Sequence, residues 1–162
     1  MNYIKMDYIK GKLWMLLLAL GLVALVLGAV FIAEGVTKSS WMSSAMRLES
    51  VTLGLNDSEI AKGNVVDTAA EAQLAGDTIR EHRHGIAPNY STLLGGGRFN
   101  ASNPDHITYA QAMNMENYLY LSVLGFGVTQ MLIGTGVFML VVALALGLVG
   151  IAVRRKGVSP TE

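Results

Sequence analysis

The chain has 162 residues, of which 52% are hydrophobic and 15% charged, with 12 Lys/Arg against 12 Asp/Glu and no cysteine. That is too apolar and too sparsely charged for an ordinary water-soluble domain. The missing thiols exclude thiol catalysis, Cys-based zinc sites and Fe–S clusters. They also mean that an extracytoplasmic domain of this size must share its core with something else, or sit where disulfides are not relied upon.

The apolar residues fall in two blocks. Leu13–Ala33 carries no charge for 21 residues, and Asn117–Val153 carries none for 37. Roughly 20 apolar residues cross a bilayer core, so each block is long enough for one crossing. The first run exceeds the 7–15 residues of a signal-peptide core and lacks a small-x-small cleavage pair, which reads as an uncleaved anchor. Its flank carries Lys5, Lys10 and Lys12 against Asp7, and Arg154, Arg155 and Lys156 follow the second block. Residues 34–117 hold six Lys/Arg and ten Asp/Glu, a net of −4. Basic flanks stay in the cytoplasm. The expected fold is therefore an all-α membrane protein of the plasma membrane, with two transmembrane helices and a helical extracytoplasmic domain between them. Its segments are a cytoplasmic stretch 1–12, spans at 13–33 and 131–153, an outer domain 34–130, and a cytoplasmic tail 154–162. Tyr3, Tyr8 and Trp14 suit a cytoplasmic aromatic belt, with Phe31 and Trp41 bracketing the outer interface.

Past Glu34 and Gly35 the first helix is expected to continue, since Trp41, Ala45, Leu48 and Leu55 recur at helical spacing, flanked by Met42, Met46 and Leu53. Asn56-Asp57-Ser58 marks a turn and a new helix start. The capping box Thr68-Ala69-Ala70-Glu71 opens a helix to about Arg83. Ala69, Ala72, Gly76 and Ile79 form one stripe on it, small enough for close packing on the second long helix. From Gly85 to Asp105, Gly95-Gly96-Gly97 and two prolines predict irregular backbone. Its apolar residues Ile86, Tyr90, Leu93, Leu94 and Phe99 favour an ordered, packed loop over disorder.

The second block exceeds one crossing, and two crossings would carry Arg154-Arg155-Lys156 outside. Counting back about 20 residues from Val153 puts the span near Gly134–Val153. A capping box at Thr108–Gln111 then starts a helix whose outer half, carrying Ala110, Met113, Tyr120, Leu121 and Leu124, stands above the bilayer. Such a surface needs cover.

Glu81-His82-Arg83-His84, with His106 further on, offers three nitrogens as candidate ligands for a divalent metal, and no other cofactor is expected. Against it, His82 and His84 face apart on a continuous helix. Cationic residues in a last turn also serve the helix macrodipole. Gly95-Gly96-Gly97-Arg98 lacks the strand, spacing and Lys-Ser/Thr ending of a phosphate loop. Asn56, Asn89 and Asn100 each begin an N-x-S/T triplet, a glycan acceptor pattern in hosts that use it.

Ala24-xxx-Gly28 is a small-xxx-small match, and Gly125, Gly127, Gln130 and Gly134 are the matching candidates on the second helix, glycines for close approach and the amide for bonding across helices. No Asp, Glu, Lys, Arg or His lies within the spans, which argues against a pump or transporter acting alone. The leading expectation is an accessory or scaffolding subunit that packs against other membrane subunits or against itself, with the lipid bilayer as its surroundings and no nucleic-acid partner. The alternatives are a ligand-binding or sensory module using the loop 85–105, and a metal-binding protein using His82, His84 and His106.

Overall fold

A computed structural model describes the backbone of residues 3–157 and the side chains of residues 12–155. The side chains of Tyr3, Lys5, Asp7, Tyr8, Lys10 and Lys156, used above for orientation, lie outside the described residues. Five helices follow in order: α1 (Tyr3–Glu49), α2 (Asp57–Ala61), α3 (Ala69–Ile86), α4 (Tyr90–Leu94) and α5 (Pro104–Gly157), with no strand among the described residues. Two stretches, Lys12–Glu49 and Pro104–Arg155, are long and apolar enough to cross a membrane. The chain divides into two compact units, Met1–Thr37 with Gln130–Glu162, and Lys38–Thr129.

In the first unit α1 and α5 run antiparallel. Leu17 and Leu18 meet Gly150, Gly21 meets Ala143 and Gly147, and Gly28 meets Gly136 and Leu140. Ala24 and Ala143 are buried on this seam, while Leu16, Leu22, Val26, Phe138, Leu144 and Leu148 remain exposed around it. A helix pair apolar on every face is built for an apolar solvent.

In the second unit the core is Val66, Ala72, Ala75, Ile79 and Leu119, with Met46, Val51, Leu53, Leu55, Ala112 and Val123 packed against it. Helix α3 forms where the capping box predicts. The Thr68 side chain accepts from the Glu71 N–H, and the Glu71 carboxylate accepts from the Thr68 N–H at 3.1 Å. Its buried stripe is Ala72, Ala75, Gly76 and Ile79. Gly76 lies against the Tyr120 ring of α5, where a Cβ would come within 3.0 Å of the ring edge. Asn56 caps α2 through a second capping box with Glu59.

Three expectations are corrected. Helix α1 stops at Glu49 rather than running to Leu55, because Ser50 turns left-handed at φ 53 and Gly54 at φ 82. The chain folds back so that Val51, Leu53 and Leu55 join the core, and the Val66 N–H donates to the Val51 carbonyl at 2.7 Å. Trp41 and Leu48, counted above on the apolar stripe, are instead 68% and 85% exposed. Helix α5 begins at Pro104, not after Thr108. Proline suits a first helical position, having no N–H to leave unsatisfied, and the Asn103 side chain accepts from the Asp105 N–H at 2.9 Å. The segment 85–105 is not wholly irregular. Helix α3 extends to Ile86, and α4 forms between the Asn89 cap and Gly95 in the left-handed conformation.

Candidate functional site

The helices of the first unit approach closely at Gly28 and Gly136. A Cβ on Gly28 would lie 2.8 Å from the Gly136 carbonyl oxygen, and one on Gly136 would lie 2.7 Å from the Gly28 oxygen and 2.6 Å from Ile32. Of the packing candidates, Ala24 and Gly28 therefore sit on the α1–α5 seam. Gly134 has nothing within 4 Å of where its Cβ would be, and Gln130 is exposed. Gly136, Gly150 and Gly21 supply the close contacts that Gly134 does not. Sequence alone cannot separate glycines three residues or fewer apart until the facing helix fixes the rotation. At the end of this unit the Arg154 guanidinium lies 5.1 Å from the centre of the Trp14 ring, close enough for a cation–π contact.

In the second unit Gly125 contacts Met42, whose methyl would be 2.5 Å from an added Cβ, while Gly127 has no neighbour within 4 Å. The chemistry here lies between α3 and α5. The Arg83 Nε donates to Glu116 Oε2 at 2.8 Å, with the two side chains 11% and 9% exposed. Arg83 Nη1 also donates to the Tyr109 hydroxyl, and its guanidinium lies 4.8 Å above the Tyr109 ring. The hydrogen bond to Glu116, with the charge of that carboxylate behind it, raises the Arg83 pKa against the opposing effect of burial. One and two turns earlier on α3, Asp77 accepts from the Tyr120 hydroxyl at 2.7 Å and from Arg80 at 2.9 Å. Hydrogen bonding from Tyr120, then from Gln73, holds the Asp77 carboxyl below its ordinary range. Elsewhere in this unit, Arg47 of α1 pairs with Asp67, whose backbone carbonyl accepts from the Ser43 hydroxyl at 2.8 Å.

His82 and His84 are exposed on the last turns of α3, whereas His106 is buried in the first turn of α5. His106 Nδ1 accepts from the Asn100 N–H at 3.0 Å, and its ring sits 5.6 Å from that of Phe99. A backbone N–H can only donate, so Nδ1 carries the lone pair and the proton of the neutral ring is on Nε2. In that tautomer His106 offers no free lone pair to a metal. Among the described residues no group of three His, Asp or Glu side chains is placed to hold a metal ion. Beside the segment 85–105 lies a shallow, open pocket of about 210 Å³ bordered by Thr92, Asn103, Asp105 and His106.

The three N-x-S/T asparagines have structural work. Asn56 and Asn89 cap α2 and α4, and the Asn100 side chain accepts from the Ser102 N–H at 2.9 Å. The residues that the sequence reading did not single out are Glu116, Tyr109 and Asp77. Glu116 and Tyr109 are a carboxylate and a phenol inside an otherwise apolar face of α5 that meet Arg83 of α3, and Asp77 of α3 meets Tyr120 of α5. No family model, curated protein or solved structure matches the chain.

Proposed function

We propose that this is a small integral membrane protein that acts as an accessory or scaffolding subunit, packing against other membrane subunits or against a second copy of itself. In this reading α1 and α5 cross the plasma membrane, the ends of the chain lie in the cytoplasm, and residues 38–129 stand outside. The observation that carries it is the exposure of large apolar residues in that outer unit. Leu48 is 85% exposed, Tyr118 64% and Leu121 59%. Leu48 follows the end of the first expected span by 15 residues, and Tyr118 precedes the start of the second by 13. Large apolar groups exposed on a unit outside the spans mark an interaction surface. The ion pairs do not oppose this reading, because Arg83, Glu116 and Asp77 bind helix to helix.

The test is extraction in mild detergent followed by native mass spectrometry. A co-purifying subunit or a homo-oligomer is expected, and replacing Leu48 and Leu121 together by Ser should release it. A monomer at membrane-like protein density, unchanged by that double replacement, would overturn the proposal.

A further inference from the structure

We propose that residues 95–102 form a clasp on the start of α5 that opens when the His106 side chain takes a second proton. The segment hangs between a hinge and one fastening. Its hinge is Gly95-Gly96-Gly97, where Gly95 and Gly96 stand at φ 55 and 79 with no neighbour within 4 Å of an added Cβ. Residues 95–102 are exposed throughout. The fastening is the Asn100 N–H, which donates to His106 Nδ1 at 3.0 Å. Among the described residues it is the only hydrogen bond from residues 95–102 to α5. The Phe99 ring rests at the same point, 5.6 Å from the imidazole. A segment held by so few contacts opens locally, without unfolding the core beneath it.

Proton chemistry makes this fastening conditional. The bond needs the lone pair on Nδ1, and the neutral ring already carries its one proton on Nε2. A second proton has no site but Nδ1. Binding it turns the acceptor into a donor, and two donors cannot share the bond. The ring also sits in the first turn of α5, where the positive end of the helix dipole opposes a cation. The surrounding groups do not repair the loss. On the pocket that His106 borders, Asp105 is the one other titratable residue, and the end of α3 and α4 contribute uncharged side chains. Asp105 attracts an imidazolium but gives the Asn100 N–H no lone pair on the ring. One turn along α5, Tyr109 is engaged by Arg83 of α3 and packs near Tyr90 of α4. The clasp itself carries one charge, the exposed Arg98, which repels an imidazolium and favours release. Opening therefore takes up one proton, and acid drives it.

An imidazole free in water titrates at about 6.5. With one proton taken up on opening, the opening constant should rise about tenfold between about pH 7.5 and about pH 5.5. Hydrogen exchange of the full chain in lipid nanodiscs reads this at the Asn100 amide, after correction for the intrinsic pH dependence of exchange. Protection there should fall about tenfold over that range. His82→Asn with His84→Asn removes the two exposed histidines, leaves His106 as the last of the three, and should keep the full fall. His106→Asn carries an amide oxygen on the same γ carbon that holds Nδ1 and takes no proton, so its protection should change by less than about twofold. If that variant does not fold, nitrogen NMR of the His82→Asn, His84→Asn chain decides. The unprotonated Nδ1 signal should then disappear in step with the loss of protection. Constant protection at Asn100 in the wild type overturns the clasp. So does a protonated Nδ1 beside an Asn100 amide that remains protected. An equal fall in His106→Asn removes His106 from the mechanism and overturns the assignment.

Discussion

The Arg83 guanidinium and the Glu116 carboxylate meet at 2.8 Å with each side chain about nine-tenths buried, and they tie α3 to α5 at the point where the Tyr109 hydroxyl closes the third side. Burying two charges costs several kcal/mol per ion, which a close and fully bonded geometry offsets without large surplus. The pair therefore specifies how α3 sits on α5 more than it adds to stability. Small residues at Ala72, Ala75 and Gly76 would let α3 slide or rotate, and the pair fixes the register.

Removing one partner should then be worse than removing both. Glu116→Leu leaves an uncompensated buried guanidinium and is expected to lower the unfolding free energy of the second unit by about 3–5 kcal/mol. Arg83→Met combined with Glu116→Leu should recover at least half of that loss. Denaturant unfolding of the full chain, followed by far-ultraviolet circular dichroism, reads both. A double variant as damaged as the single one would show that the pair contributes net stability rather than register.

The acid and alkaline limbs of stability separate at Asp77 and Tyr120. The bond from Tyr120 holds the Asp77 carboxyl below its ordinary 3.8. A depressed acid stabilises the fold above its unfolded pKa, and that contribution is lost as the pH falls through the lower folded value. Tyr120 moves the other way, raised above 10.0 first by burial and then by its bond to Asp77. Its contribution is complete below the unfolded value and is lost as the pH rises through the higher folded one. Glu71 also lies below its ordinary range. Burial opposes this, but the hydrogen bonds it accepts from Asp67 and Thr68 prevail. It adds to the acid limb of any variant that keeps it. Comparing unfolding midpoints of the wild type and Tyr120→Phe from pH 2 to 11 isolates the pair. The difference between them should be flat from about pH 5 to 9 and shrink at both ends. A difference independent of pH below 5 would mean that Asp77 gains nothing from the tyrosine.

How far the fold was legible follows from which signals are local. Thr68 with Glu71 and Asn56 with Ser58 announce helix starts within four residues, because a cap is satisfied by its own first turn. The end of α1 was not legible. Trp41, Ala45, Leu48 and Leu55 keep helical spacing across the break, and only Ser50 and Gly54 mark it, each by a backbone conformation that depends on the Val51–Val66 contact formed later in the chain. The α5 start was misread for a related reason. Thr108 to Gln111 satisfies the pattern of a cap, but Asn103-Pro104 offers the same chemistry four residues earlier, and a helix once begun does not restart. Arg83 was visible as a helix-end cation, yet its partner is 33 residues away, beyond any spacing rule.

The glycine seam provides the sharpest test of the paired helices. Gly28 and Gly136 bring their backbones so close that a Cβ on either would fall 2.7–2.8 Å from the other's carbonyl oxygen, and no rotamer relieves a clash with backbone. Gly136→Leu should force α1 and α5 apart by roughly 1–2 Å, within the 8–10 Å range that helix pairs span, and cost about 1–3 kcal/mol as overpacking does. Gly134→Leu has nothing within 4 Å to displace and should leave the spacing unchanged. The chain has no cysteine, so Val26→Cys with Phe138→Cys takes two spin labels and no others, both on exposed positions of the unit. The inter-label distance in nanodiscs should grow with Gly136→Leu and stay constant with Gly134→Leu. If the two variants widen it equally, the seam is not where the helices touch. If Gly134→Leu leaves the distance alone but dissolves a complex seen by native mass spectrometry, the outward face of α5 is where the partner sits.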